Sequence, residues 1–216
     1  MKERGMIFNG EMVRAILDGR KNQTRRIMKP QPANDIARGT FPNTEAYGWV
    51  SSMKQKFGGT TAHFCPFGQP GDRIWVRETW AEAGAGAPEL KLYRANYPAH
   101  VPSHYENVPP AEEIHWTPSI HMPRWASRIL LEITDVRVER LNDISEEDAR
   151  AEGIIDGGCL NCGEPEPCGC ANPEPDATDA FAYLWQSIYG QENWNANPWV
   201  WVIEFNRIEG DAHATD

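Results

Sequence analysis

The chain has 216 residues, room for one domain with insertions. No apolar run approaches the roughly 20 residues of a membrane helix, and the charged N-terminus lacks the apolar core of a signal peptide, so a cytoplasmic protein is expected. The net charge of −10 argues against a broadly basic nucleic-acid binder, but residues 141–180 carry the whole imbalance while residues 1–30 are +5, so an anionic partner at the N-terminal segment stays open.

Residues 9–18 predict a short amphipathic helix, with Asn9 as its cap and Gly19 in the left-handed position after its end. Met12, Val13, Ile16 and Leu17 form its apolar stripe. The polar run Gly19 to Arg26 follows. Residues 30–70 are rich in Pro, Gly and polar residues and read as a long loop or insertion. Gly71-Asp72 is a turn, and Arg73 to Trp80 reads as a strand. Residues 82–120 are a second irregular stretch, and Ser127–Glu139 predicts a further strand. Ser145 followed by Asp148 is a capping signature for a helix through about Glu152. The stretch 156–176 is acidic and rich in Cys, Gly and Pro. Phe181, Leu184, Trp185 and Ile188 predict a helix over about 177–189 that Gly190 ends, and Trp199–Ile208 reads as the closing strand. Separated, antiparallel strands with a few short helices suggest an α+β protein, a small β-barrel carrying helices.

Lys21, Thr24 and Arg26 place an amine, a hydroxyl and a guanidinium within a few residues. If residues 24–27 are extended, Thr24 and Arg26 share a face. Lys21 and Thr24 could form a base–nucleophile pair if burial lowers the lysine pKa. The plainer alternative is a solvated basic loop.

The chain resembles the ASCH domain family, of the PUA-like β-barrel superfamily. Four segments carry the likeness: Gly19-x-Lys21-x-x-Thr24-x-Arg26, similar to the family's G-x-K-x-x-[TE]-x-R signature; Gly71-Asp72 before Ile74-Trp75-Val76; Ile144–Gly153, similar to its short acidic helix; and Trp201–Phe205, similar to its closing strand. The longer form looks like ASCH proteins of bacteriophages and prophages. The resemblance implies a single PUA-like domain over residues 1–210, with insertions at about 30–70, 82–120 and 156–176 and a flexible tail at 211–216. It also implies a cleft between barrel and helices that takes RNA or modified bases.

One compact ASCH group, the bacterial N4-acetylcytidine amidohydrolases, uses a Lys, a Thr and a Glu. They match Lys21, Thr24 and, within the acidic helix, Glu152. On that likeness Lys21 is the base, Thr24 the nucleophile or the group orienting water, and Glu152 handles the proton of the leaving amine. Arg26 would brace the site or meet a phosphate or base oxygen. A Glu close to Lys21 would raise its pKa and oppose the base role.

A non-catalytic module binding a modified base or single-stranded nucleic acid would use the same pocket. Trp75, Trp80, Trp199 and Trp201 are candidates to stack on a base, with core packing as the alternative. One of Arg77 and Glu78 would face the cleft, and Glu78 could accept from a cytosine amine, with a surface ion pair as the alternative. A third reading, ribonuclease, rests only on the loop residues His63, His100, His104, His115 and His121.

Cys159-x-x-Cys162-x5-Cys168-x-Cys170 is the most specific chemical signal. Four thiolates suit a tetrahedral structural zinc, with free thiols as the alternative. Cys65 stands apart as a lone thiol.

Overall fold

The structure is a computed structural model that describes residues 1–32, 49–52, 60–155 and 177–208. Its strands are β1 (Glu3–Ile7), β2 (Gln23–Ile27), β3 (Trp49–Ser52), β4 (Thr60–His63), β5 (Arg73–Arg77), β6 (Trp80–Glu82), β7 (Lys91–Tyr93), β8 (Leu130–Arg140) and β9 (Trp199–Arg207). Its α-helices are α1 (Gly10–Leu17), α2 (Glu146–Ala151), α3 (Ala177–Tyr189) and α4 (Gln191–Asn195). The protein is thus a mixed α+β fold. No helix among the described residues is long and apolar enough to cross a membrane.

Five strands form one sheet in the order β1-β5-β8-β9-β2, and β3-β4 and β6-β7 are separate pairs. Within the large sheet β1 runs parallel to β5, and the other neighbours are antiparallel. The expectation of antiparallel strands therefore misses one pair. β1 has no apolar alternation to announce it and takes its place by pairing with the β5 backbone.

The sheet buries both faces, and β9 shows why. Trp199, Trp201, Ile203 and Phe205 point to a core built with Val13 and Ile16 of α1, Ile74 and Val76 of β5, and Leu131 and Ile133 of β8. Val200 and Val202 point the other way, to Ala149 of α2 and Phe181 and Trp185 of α3. A strand buried on both sides reads as a continuous apolar run. The two edge strands meet through a side chain: Arg26 of β2 donates from Nη2 to the Ile7 carbonyl at 2.9 Å. Its guanidinium also lies 5.3 Å from the Phe8 ring.

The strand expected over Arg73–Trp80 divides into β5 and β6. Glu78 breaks it, because its buried carboxylate turns to Arg128. The strand expected from Ser127 starts at Leu130, since the Ser127 hydroxyl bonds the Val76 carbonyl at 2.8 Å. The helices at 9–18 and 177–189 form as expected, and Asn9 accepts from the Met12 amide at 2.8 Å. Gly190 (φ +86°) ends α3 but also launches α4, which the pattern did not announce.

Asp72 ties the N-terminus to the sheet by accepting from the Lys2 amide at 2.7 Å and from Arg4 Nη1 at 3.3 Å. Burial pushes its carboxyl up, but these bonds and the Gln69 amide outweigh it and hold its pKa below 3.8. The unfolded chain therefore binds this proton more readily, so the stabilisation is complete above pH 3.8 and is lost as the pH falls through the folded pKa. Asp72→Asn is expected to lower the urea midpoint at neutral pH and to flatten the acid limb of midpoint against pH. An unchanged acid limb would remove Asp72 from this role.

Candidate active site

The chain turns back sharply after α1. The amides of Arg20 and Lys21 both donate to the Ala15 carbonyl, at 2.9 and 3.0 Å. Gly19 supplies the left-handed residue (φ +74°) that this reversal needs. Lys21 then pairs with Glu152 in a single antiparallel bridge, and Asn22 N donates to the Ala151 carbonyl at 3.0 Å. On the other side α2 starts on its Ser145 cap, with Ser145 Oγ accepting from the Asp148 amide at 3.1 Å. It ends on Glu152 and on Gly153 (φ +90°).

Gly153 is where the two segments touch. A Cβ there would lie 2.8 Å from the Ala15 Cβ and 3.0 Å from the Lys21 Cβ. Gly153→Ala is expected to cost about 1–3 kcal/mol for the strained backbone, with more from the clash. A urea midpoint equal to wild type would show that the contact relaxes freely.

This junction brings Lys21 and Glu152 together from 131 residues apart. Lys21 Nζ donates to Glu152 Oε2 at 2.5 Å and to the Glu152 carbonyl at 2.9 Å. The side chains are 0% and 4% exposed. Glu152 Oε1 is buried, has no hydrogen-bond partner, and lies 3.6 Å from Arg25 Nη1. Burial holds the Lys21 amine below its ordinary 10.5; the charge and hydrogen bond of Glu152 push it back up, and Arg26 and Arg25 push it down. Desolvation, the largest of these effects, sets the direction.

Two cavities meet at Glu152. One, of about 400 Å³, lies among Arg14 and Ala15 of α1, Arg20, Gly153 and Leu184 of α3. The other is a narrow cleft lined by Thr24, Arg25, Arg26, Tyr189 and the same Leu184. Thr24 lies opposite Ile203 and Arg26 opposite Trp201, so both share the face that extended geometry predicts. The larger cavity is of the size that takes small organic ligands, about 300–1,000 Å³.

Thr24, Arg26 and Glu152 line the narrow cleft together, whereas Lys21 lines neither cavity and is joined to them through its contact with Glu152. Trp75, Arg77 and Glu78 line neither cavity. Ile74 and Val76 take the core face of β5, so Trp75 and Arg77 take the other. There the Trp75 indole covers Gly5, where a Cβ would meet it at 2.6 Å. Arg77 donates to the Ile120 carbonyl and lies 5.4 Å from the Trp75 ring. Glu78 is held by Arg128 at 2.9 and 3.0 Å. Trp80, Trp199 and Trp201 are buried. Cys159, Cys162, Cys168 and Cys170, with the whole of the 156–176 insertion, lie outside the described residues, as does the tail at 211–216. Among the described residues no group of three or more His, Cys, Asp or Glu could hold a metal.

Behind the pair stands a network of charged groups that no local motif marks. Arg25, wholly buried, donates to Gln23 Oε1, to Asp148 Oδ2 at 2.9 Å and to Glu139 Oε2 at 3.1 Å. Arg137 answers from β8, reaching Asp148 Oδ1 at 2.9 Å, Glu139 Oε1 at 2.7 Å and Glu204. The signal was the alternation of Arg137 and Glu139 opposite β9, which pairs with β2. Neither a family model nor a curated protein nor a solved structure matches this chain.

Proposed function

We propose that this chain is an ASCH-type protein with a PUA-like barrel, which takes a modified nucleobase beside Glu152 and hydrolyses the amide of an N4-acylated cytidine. The observation that carries the reading is the buried 2.5 Å contact of Lys21 with Glu152, a residue that lines both the cavity of about 400 Å³ and the narrow cleft on which Thr24 lies. Lys21 in its neutral form takes the proton of the Thr24 hydroxyl, and the oxygen attacks the acyl carbon. As the C–N bond breaks, the proton passes from Lys21, with Glu152 alongside, to the leaving N4. Water then releases the acyl group as a carboxylic acid and restores Thr24. The lowered Lys21 pKa supports this use, since a base must shed its proton near the working pH. The unpartnered Glu152 Oε1 supports recognition of an N–H on the base.

A panel of acylated and unmodified nucleosides, free and within single-stranded RNA and DNA, tests the reading by binding and by product release together. Turnover of N4-acetylcytidine is the expected result. Tight binding without product would favour the non-catalytic module, and neither binding nor turnover would sink both.

We further propose that Cys159, Cys162, Cys168 and Cys170 hold a structural zinc, on the chemistry of four thiolate donors within twelve residues. Such a site would close an insertion with few apolar residues to fold around. One equivalent of zinc in the wild type, lost in Cys162→Ser, is the expected result of metal analysis.

A further inference from the structure

We infer that Arg25 is a positioning residue for this site: its guanidinium is fixed beside Glu152 and offsets the charge left on the pair when Lys21 gives up its proton. The inference rests on the reading of Lys21 as the base.

Lys21 and Glu152 are buried together, and while Lys21 is protonated the pair is neutral. Once the proton leaves, the pair carries a net negative charge in a site nearly closed to water, which desolvation penalises. A cation that cannot swing away offsets that cost. Arg25 Nη1 lies 3.6 Å from Glu152 Oε1, the oxygen that Lys21 leaves without a hydrogen bond. The guanidinium is held from behind by Asp148 and Glu139, and the Phe181 ring lies 5.9 Å from it. Gln23 stiffens the arrangement by accepting from Arg25 and donating to Asp148 at 2.9 Å.

Arg26 also lowers the Lys21 pKa through its charge, but its hydrogen bond goes elsewhere, and the remaining charged and titratable groups around the pair are committed elsewhere or exposed. Arg26 of β2 donates to the Ile7 carbonyl. Across the larger cavity Arg14 donates to the Ala95 carbonyl and Arg20 to the Gly153 carbonyl, and Glu11 is exposed. From α3 the titratable group lining the narrow cleft is the Tyr189 phenol. On the far side of Arg25, Arg137 and Glu204 extend the network away from the pair. Arg25 is therefore the buried cation aimed at Glu152.

Two acids hold Arg25, so its influence on the pair can be moved in opposite directions. The experiment follows the pH titration of the Lys21 side chain by NMR in the full chain carrying isotope-labelled lysine, with Lys21→Arg identifying the signal. In Arg25→Gln the Lys21 midpoint is expected to rise by about 1–3 pH units, the range for a neighbouring charge. In Asp148→Asn, where Arg25 keeps its charge and loses a counter-ion, the midpoint is expected to fall. Glu139→Gln is expected to lower it as well, and these two variants carry the test if Arg25→Gln does not fold. Merely loosened packing would admit water, relieve the burial that lowers the Lys21 pKa and raise the midpoint in every variant, and a rise in the two acid variants, or no movement, overturns the proposal. The titration needs no substrate. A chain that turns over no acylated nucleoside yet shows the opposed shifts would sink the proposed reaction and leave the coupling of Arg25 to the pair standing.

Discussion

Glu152→Gln is expected to destabilise the fold by about 3–5 kcal/mol at neutral pH, the cost of breaking a buried pair by removing one partner. Lys21 is then left charged, with the backbone carbonyl of residue 152 as its remaining acceptor. The variant also loses the two influences of Glu152 that push the Lys21 pKa up, so the amine falls further below 10.5. The sign of the pH dependence follows. Between the lowered folded pKa and the unfolded value the unfolded chain binds more protons, so stability rises with pH across that window. The loss in Glu152→Gln is therefore largest at low pH and shrinks as Lys21 becomes neutral. Chemical denaturation across pH measures this directly. The double variant Lys21→Met/Glu152→Leu is expected to lose less than the two single variants together, because it leaves no unpaired buried charge. Additive losses would show that the two groups do not act as a pair.

Thr24→Val is expected to abolish turnover of N4-acetylcytidine, a loss on the order of 10³-fold or more, with little change in stability. Valine matches threonine in shape and suits β2, where Thr24 lies opposite Ile203. It removes only the hydroxyl. Thr24→Ser keeps the hydroxyl and is expected to keep activity. Mass spectrometry of the wild type with excess substrate should show an acyl group on Thr24. A Thr24→Val enzyme that retains turnover would take Thr24 out of the reaction and leave water activated by Lys21 as the nucleophile.

Much of the local structure was legible in the chain. The stripe from Met12 to Leu17, the Asn9 and Ser145 caps and the spacing from Phe181 to Ile188 each encode a helix through neighbours three and four apart, which needs no distant partner. The run from Trp199 to Phe205 encodes a strand because both its faces are covered. β1 was not legible. Its Gly5 is small to admit the Trp75 indole, a reason that lies 70 residues away. The inward turn of Glu78 was equally hidden, because its cause is Arg128.

The candidate site divides in the same way. Lys21, Thr24 and Arg26 could be picked out because they lie in one short segment, and Glu152 because it follows the capped acidic helix that Ser145 opens. The polarity of Arg25 pointed to solvent and to the plainer reading of a basic loop. Its burial depends on acids contributed by β8 and α2, and no local pattern records that. Trp75, Arg77 and Glu78 lay close to the site in expectation and away from its cavities in space, because alternation along β5 shows which residues share a face but not which face meets the cleft.

By itself, then, the sequence determined where charge and apolar surface lie along the chain, since helix caps, apolar periods and turns act over a few residues. It placed +5 on the segment that holds Lys21 and the whole net −10 on residues 141–180. Only the tertiary structure decided that these two regions meet at Gly153, where a side chain would clash, and that Lys21 and Glu152 close on each other out of water. The physical reason is that burial and ion pairing are properties of the packed whole. A lysine in a basic loop and a lysine with a lowered pKa differ only in what the rest of the chain lays over them.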